Sequence, residues 1–203
     1  MAATRMSDRA DAGDETTVYQ PAEDSRLLAE AALERIGDGE RVLDTGTGSG
    51  YVAGRVAAET DATVVASDLN PHACRETREA ARSEGVSLAV ARGNLTHPFR
   101  AGAFDRVLFN PPYLPRDPDA ARDDWMERAL TGGETGREVV EAFLDDVKRV
   151  LAPDGRVLLL VSTLTDIEAV AAYAADRGLA ATTAREESYP FERLAVLSIT
   201  LEH

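Results

Sequence analysis

Residues able to do chemistry gather at the ends of apolar runs. Val107-Leu108-Phe109 stops abruptly at Asn110-Pro111-Pro112-Tyr113. The run reads as a buried strand, and the two prolines, which lack an N–H, cannot continue it. Asn110 is thereby left at the strand's carboxyl end, the edge at which open α/β sheets bind ligands. A second run, Val42-Leu43-Asp44-Thr45, leads into Gly46-Thr47-Gly48-Ser49-Gly50 and then a helix. Glycines at Gly46, Gly48 and Gly50 let the backbone turn tightly and allow a ligand to come close. A dinucleotide fingerprint would space them Gly-x-Gly-x-x-Gly over a pyrophosphate. Here Tyr51 fills the last glycine's place, and Asp44 before the loop would repel a diphosphate. An ammonium or sulfonium ligand suits that charge. Asp68 ends the next strand, placed to accept from ribose hydroxyls. Asn94 follows the third strand, placed to meet an adenine amino group.

Regular alternation of strands and helices positions these groups. Arg41 to Thr45, Thr63 to Ser67, Ser87 to Ala91, Phe104 to Phe109 and Arg156 to Val161 read as strands. Tyr51 to Glu59, Pro71 to Ser83, Glu134 to Leu151 and Asp166 to Arg177 read as helices between them. A helix from about Asp24 precedes the first strand, with Asp24 or Ser25 as its cap. Two strands near 179–185 and 193–200 close the chain and alternate apolar with polar residues, as a sheet margin does. The expected fold is α/β, a mainly parallel seven-stranded sheet with helices on both faces and an antiparallel last strand. Residues 1–17 have no apolar periodicity and read as a mobile arm, leaving 18–203 as one domain.

Composition narrows the class. Of 203 residues 44% are hydrophobic, which suits one globular domain. No apolar run reaches the roughly 18 residues of a membrane span, and the polar N-terminus has no signal-peptide core, so a cytoplasmic protein is expected. Cys74 is the sole cysteine, which excludes an intramolecular disulfide and a cysteine metal cluster; no metal site is expected. The formal net charge is −14 and Lys148 is the only lysine. Such acidity argues against holding nucleic acid by a basic surface, though proteins of salt-rich cytoplasm share it whatever they bind.

The glycine loop resembles the first motif of class I S-adenosylmethionine-dependent methyltransferases. Asn110-Pro111-Pro112-Tyr113 resembles the fourth motif of those that methylate planar nitrogens, whether adenine, cytosine or glutamine amide. Two flanking segments are similar to the HemK-like glutamine methyltransferases, in particular their short archaeal and eukaryotic branch. These are Val18-Tyr19-Gln20-Pro21-Ala22-Glu23-Asp24-Ser25 and Thr131-Gly132-Gly133-Glu134-Thr135-Gly136-Arg137-Glu138.

The resemblance implies a Rossmann-like methyltransferase fold, with S-adenosyl-L-methionine held at Ser25, Asp44, Gly46, Gly48, Gly50, Asp68, Asn94 and Leu95. It implies catalysis at Asn110, Pro111 and Tyr113, and substrate contacts at Asn110, Pro112, Tyr113 and Arg137. Three roles stay open for Arg137: substrate anchor, support of the loop at 114–133, or helix-start ion pair; for Trp125, lid or core, core is preferred. Most relatives carry Asp where this chain has Asn94, so a charge-assisted hydrogen bond is lost there. The substrate implied is the glutamine of the Gly-Gly-Gln motif in the class I peptide chain release factor. A small zinc-binding activator subunit is implied at the edge of the third strand. The rival is an adenine or cytosine amino methyltransferase acting on RNA or DNA; it would have to grip a phosphate backbone, for which the chain shows no basic tract.

Overall fold

A computed structural model describes residue 18 and residues 20–114 and 125–202. The expected arm at 1–17 therefore lies outside the described residues. The elements run α1 (Glu23–Leu33), β1 (Arg41–Thr45), α2 (Tyr51–Glu59), β2 (Thr63–Asp68), α3 (Pro71–Glu84), β3 (Ala89–Arg92) and β4 (Phe104–Phe109). Then come α4 (Trp125–Leu130), α5 (Glu138–Val150), β5 (Leu151–Ser162), a 3-10 turn (Thr163–Thr165), α6 (Ile167–Ala175), β6 (Leu179–Ser188) and β7 (Arg193–Leu201).

The seven strands form one sheet in the order β3-β2-β1-β4-β5-β7-β6. The first five pair in parallel, and β7 runs antiparallel to both β5 and β6. Strand alternation builds two cores from single strands, because successive side chains point to opposite faces. Val107 and Phe109 of β4 join Val157 and Leu159 beneath α5 and α6. Leu108 and Leu158 join Leu27, Leu28 and Val56 on the face covered by α1 and α2. Among the described residues no helix is long and apolar enough to cross a membrane.

Several sequence expectations need correction. The long helix begins at Glu138, not Glu134, because Gly133 and Gly136 take left-handed backbone (φ 101° and 78°) that a helix does not admit. Strand three is Ala89–Arg92, since only those residues pair with β2. Strand five is longer than expected. Leu151 pairs with Phe104 before the Pro153-Asp154-Gly155 turn, and the register shifts between Phe104 and Arg106. Strand seven is no margin: it lies between β5 and β6, so Leu194 through Ile199 are buried without alternation. Neither Asp24 nor Ser25 caps α1; the cap position is Ala22, with no side-chain hydrogen bond.

The order of the strands makes the site. From β1 the chain winds outward through β2 to β3, then crosses back to β4 and onward to β5. The loops after β1 and β4 diverge at that reversal and open a crevice at the strands' carboxyl ends.

Candidate active site

A cavity of about 460 Å³ occupies this crevice, within the usual range for a small-molecule site. Its wall includes Ser25, Asp44, Gly46, Gly48, Asp68, Asn94 and Leu95, and Asn110 through Leu114. Residues from the ends of β1, β2, β3 and β4 and from the start of α1 are thus brought together as expected. Two expected residues stand elsewhere. Gly50 is absent from this wall; a Cβ there would lie 2.7 Å from the Thr77 methyl, and its φ is +85°. Its glycine requirement comes from packing against α3. Arg137 is also outside. It donates to the Thr165 carbonyl at 3.3 Å and pairs with Glu141 at 3.6 Å, the helix-start ion pair. Trp125 is a partly exposed member of the cavity wall rather than core.

The glycine loop is held from within. Asp44 is buried, accepting from Thr47 Oγ1 at 2.6 Å and from the Ala53 N–H at 3.2 Å. Desolvation is the largest influence on this carboxyl and raises its pKa to about 7; the Thr47 and Ala53 bonds oppose the rise, and the neighbouring Asp68 charge adds to it. Asp68 accepts from the Gly48 N–H at 3.0 Å and the Asn70 N–H at 2.8 Å. Burial raises its pKa too, against those bonds. Two carboxyls kept partly desolvated in one cavity suit a cationic, hydroxyl-bearing ligand. Leu69, 45% exposed, stands on the wall with Leu95, whose φ of +47° is rare for a side chain of that kind. Between them they offer apolar faces to a flat ring.

Gly46 joins the two halves of the site. Its φ is +65°, and a Cβ would stand 3.0 Å from the Phe109 ring. Beyond Phe109, the Asn110 amide nitrogen donates to Ser25 Oγ at 3.4 Å. Its Oδ1 is buried and has no hydrogen-bond partner among the described residues. Buried acceptors are seldom left so, because the loss of solvation is not offset. An unsatisfied acceptor on a residue that lines the cavity is the kind of group a ligand's donor would satisfy.

The segment 131–138 braces the tetrapeptide. Leu114 donates to the Leu130 carbonyl at 2.9 Å, Gly132 donates back to the Leu114 carbonyl at 3.0 Å, and Glu138 donates to Gly132 O at 2.9 Å. A Cβ on Gly132 would stand 2.7 Å from the Pro112 carbonyl oxygen. The glycine pair therefore lets one backbone lie directly against the other. Sequence reasoning missed Thr47, Leu69 and Asp24 on the wall. Thr47 is one residue past Gly46, within the motif already recognised; Asp24 lies in the family-like segment before Ser25 but reads there only as a candidate cap.

A doubly wound sheet of this order, with a glycine loop and an Asn-Pro-Pro-Tyr turn facing across its reversal point, defines a methyltransferase of the Rossmann-like class. The chain belongs to the methyltransferase small domain family, whose profile matches residues 21–176. It is 32% identical over 181 residues to a protein N5-glutamine methyltransferase of Methanocaldococcus jannaschii, covering 89% of this chain and 90% of that one. It is 33% identical over 191 residues to the human methyltransferase HEMK2, covering 90% and 89%. Among solved structures, a chain of the E. cuniculi Mtq2–Trm112 complex, responsible for methylation of the eRF1 translation termination factor, superposes with a TM-score of 0.74. The two are 27% identical, over 92% of this chain and 99% of that one.

Proposed function

We propose that the protein transfers a methyl group from S-adenosyl-L-methionine to the side-chain amide nitrogen of the glutamine in a Gly-Gly-Gln motif of a class I peptide chain release factor. The buried, unpartnered Oδ1 of Asn110 is the observation that carries this reading. An amide nitrogen is a weak nucleophile because its lone pair is delocalised, and no ordinary side chain removes its proton beforehand. Asn110 Oδ1 and the Pro111 carbonyl each accept one of its N–H bonds. That turns the nitrogen's lone pair toward the cofactor and offsets positive charge as it develops. Tyr113 and Pro112 give the planar amide a surface to stack on. When bound, the cofactor supplies an electrophilic methyl group on a sulfonium centre. Asp44 would stand on the side of its positive charge, Asp68 would accept from its ribose, and Asn94 and Leu95 would hold its adenine. The release-factor substrate is supported by what the archaeal relative is named for and by what the Mtq2–Trm112 complex acts on.

A small zinc-binding activator, seated along β3, belongs to the same proposal, as does action in the cytoplasm where translation terminates. The edge of the sheet supports it: β3 is terminal and only four residues long, with backbone groups available for strand addition. Arg78 already donates to the Val90 carbonyl at 2.9 Å, covering one of that strand's acceptors.

The test is a labelled methyl-transfer assay, with and without the activator, on the release factor, its Gln→Ala variant, RNA and DNA side by side. Label in the release factor alone, lost in the Gln→Ala variant, is expected. Label in nucleic acid only would replace this substrate with an exocyclic base amine. Within the same assay Gly132→Ala should lower turnover by roughly 10²-fold, the effect of displacing a reacting group by about 1 Å. Cofactor affinity should hardly change, as calorimetric titration with S-adenosylhomocysteine would show.

A further inference from the structure

An asparagine side chain serves as an acceptor only if its oxygen, not its NH₂, faces the substrate. The two ends are nearly isosteric, so something must choose between them. Here the choice is made behind Asn110, at the start of α1. Asp24, 3% exposed, accepts through one oxygen, Oδ1, from the Ser25 N–H at 2.5 Å and from the Ser25 hydroxyl at 3.1 Å. A hydroxyl has a single proton, and this one is committed to the carboxylate. Only the lone pairs of Ser25 Oγ therefore face Asn110, and they receive its NH₂ at 3.4 Å. The amide oxygen is left pointing away, buried and without a partner among the described residues.

We infer that Asp24 and Ser25 are positioning residues that set the polarity of the Asn110 amide, through the chain Asn110 Nδ2–H to Ser25 Oγ–H to Asp24 Oδ1. Each link of this chain donates toward α1, so the acceptor left over is the buried Oδ1 of a residue that lines the cavity. Without the carboxylate the Ser25 hydroxyl is free to turn and donate to Asn110 Oδ1. The amide would then flip and present two N–H groups to a substrate nitrogen that itself has only N–H groups to offer. Asp24 thus acts one residue removed from the chemistry. This gives Ser25 a task other than the cofactor contact implied by family resemblance.

The inference rests on the amide-methylation reading, and two readouts separate their failures. The first is the NMR signal of the Asn110 side-chain NH₂ in the protein without substrate. It should move in Asp24→Ala, which removes the acceptor of the Ser25 hydroxyl, and in Ser25→Ala, and return near its original position in Ser25→Thr, which keeps a hydroxyl. The second is kinetic. Asp24→Ala and Ser25→Ala should lower kcat about 10- to 100-fold, the cost of one lost preorganising hydrogen bond, and Asp24→Ala should leave KM and S-adenosylhomocysteine affinity within about twofold. Ser25→Thr should recover kcat to within about threefold of wild type. An unmoved Asn110 signal in Asp24→Ala, or a fall in cofactor affinity in that variant that matches the fall in kcat/KM, would overturn the inference. Wild-type protein inactive on the release factor would reject the substrate, while the NMR arm still decides the amide's orientation.

Discussion

Asn110→Ala should reduce methyl transfer by at least about 10²- to 10³-fold, the loss typical when one preorganised polar group facing developing charge is removed. The substitution deletes the buried Oδ1 acceptor and leaves the Pro111 carbonyl to accept from the target nitrogen without it. Cofactor binding should survive, because the glycine loop, Asp44 and Asp68 are held by bonds that do not involve Asn110. The variant should also fold. Phe109 remains packed on Phe143 with ring centroids 4.6 Å apart, and the neighbouring prolines stay in place. Single-turnover kinetics beside a calorimetric titration would show both halves of this result. Near-normal turnover would remove Asn110 from the mechanism.

The second large effect is a dependence of cofactor affinity on pH set by Asp44. In the free protein its pKa stands at about 7, chiefly because the carboxyl is desolvated. A cation bound opposite it favours the ionised form and draws that pKa down. Below pH 7, binding must then expel a proton, so affinity should fall about tenfold per pH unit and level off above pH 7. The stability of the free protein runs the other way. The folded-state pKa lies above the unfolded value, so protons favour the fold, and stability should decline as pH rises from about 4 to about 7. Proton release on binding, measured in buffers of different ionisation enthalpy, checks the linkage. Asp44→Asn should abolish the dependence and weaken binding roughly 10- to 100-fold above pH 7, as expected for losing a hydrogen bond to a charged group. A flat affinity profile in the wild type would detach Asp44 from the cofactor's charge.

What was legible in the sequence was whatever depends on neighbours along the chain. Val42 to Gly50 announced strand, loop and helix because each residue type has a local reason to be there. Phe109 to Tyr113 announced a strand's end for the same reason. What was illegible depended on neighbours across the fold. Gly50 reads like its partners Gly46 and Gly48, and only the approach of Thr77 shows that it serves packing. Arg137 lies in a family-like segment, yet its guanidinium turns toward Thr165 and Glu141. Asp24 gave the pattern of a helix cap, and its partnership with a residue 86 positions later, by way of Ser25, has no trace in local spacing. Strand seven was misplaced because alternation of residue types does not say which strand will lie beside it.

The seating of β7 between β5 and β6 bears on how the protein is made. Translation delivers β5 first and β6 next, but neither can complete its pairing until β7 has followed. In that interval the inner flank of β5, with Leu158 and Leu160, lacks the Ser198 and Val196 it will lie beside. Such an unfinished apolar edge recruits other chains. Arrival of one nine-residue strand then closes both gaps at once, so the nascent chain passes from its stickiest state to its finished one in a single step. Ribosome-bound chains halted just before Arg193 should be the species that chaperones hold longest.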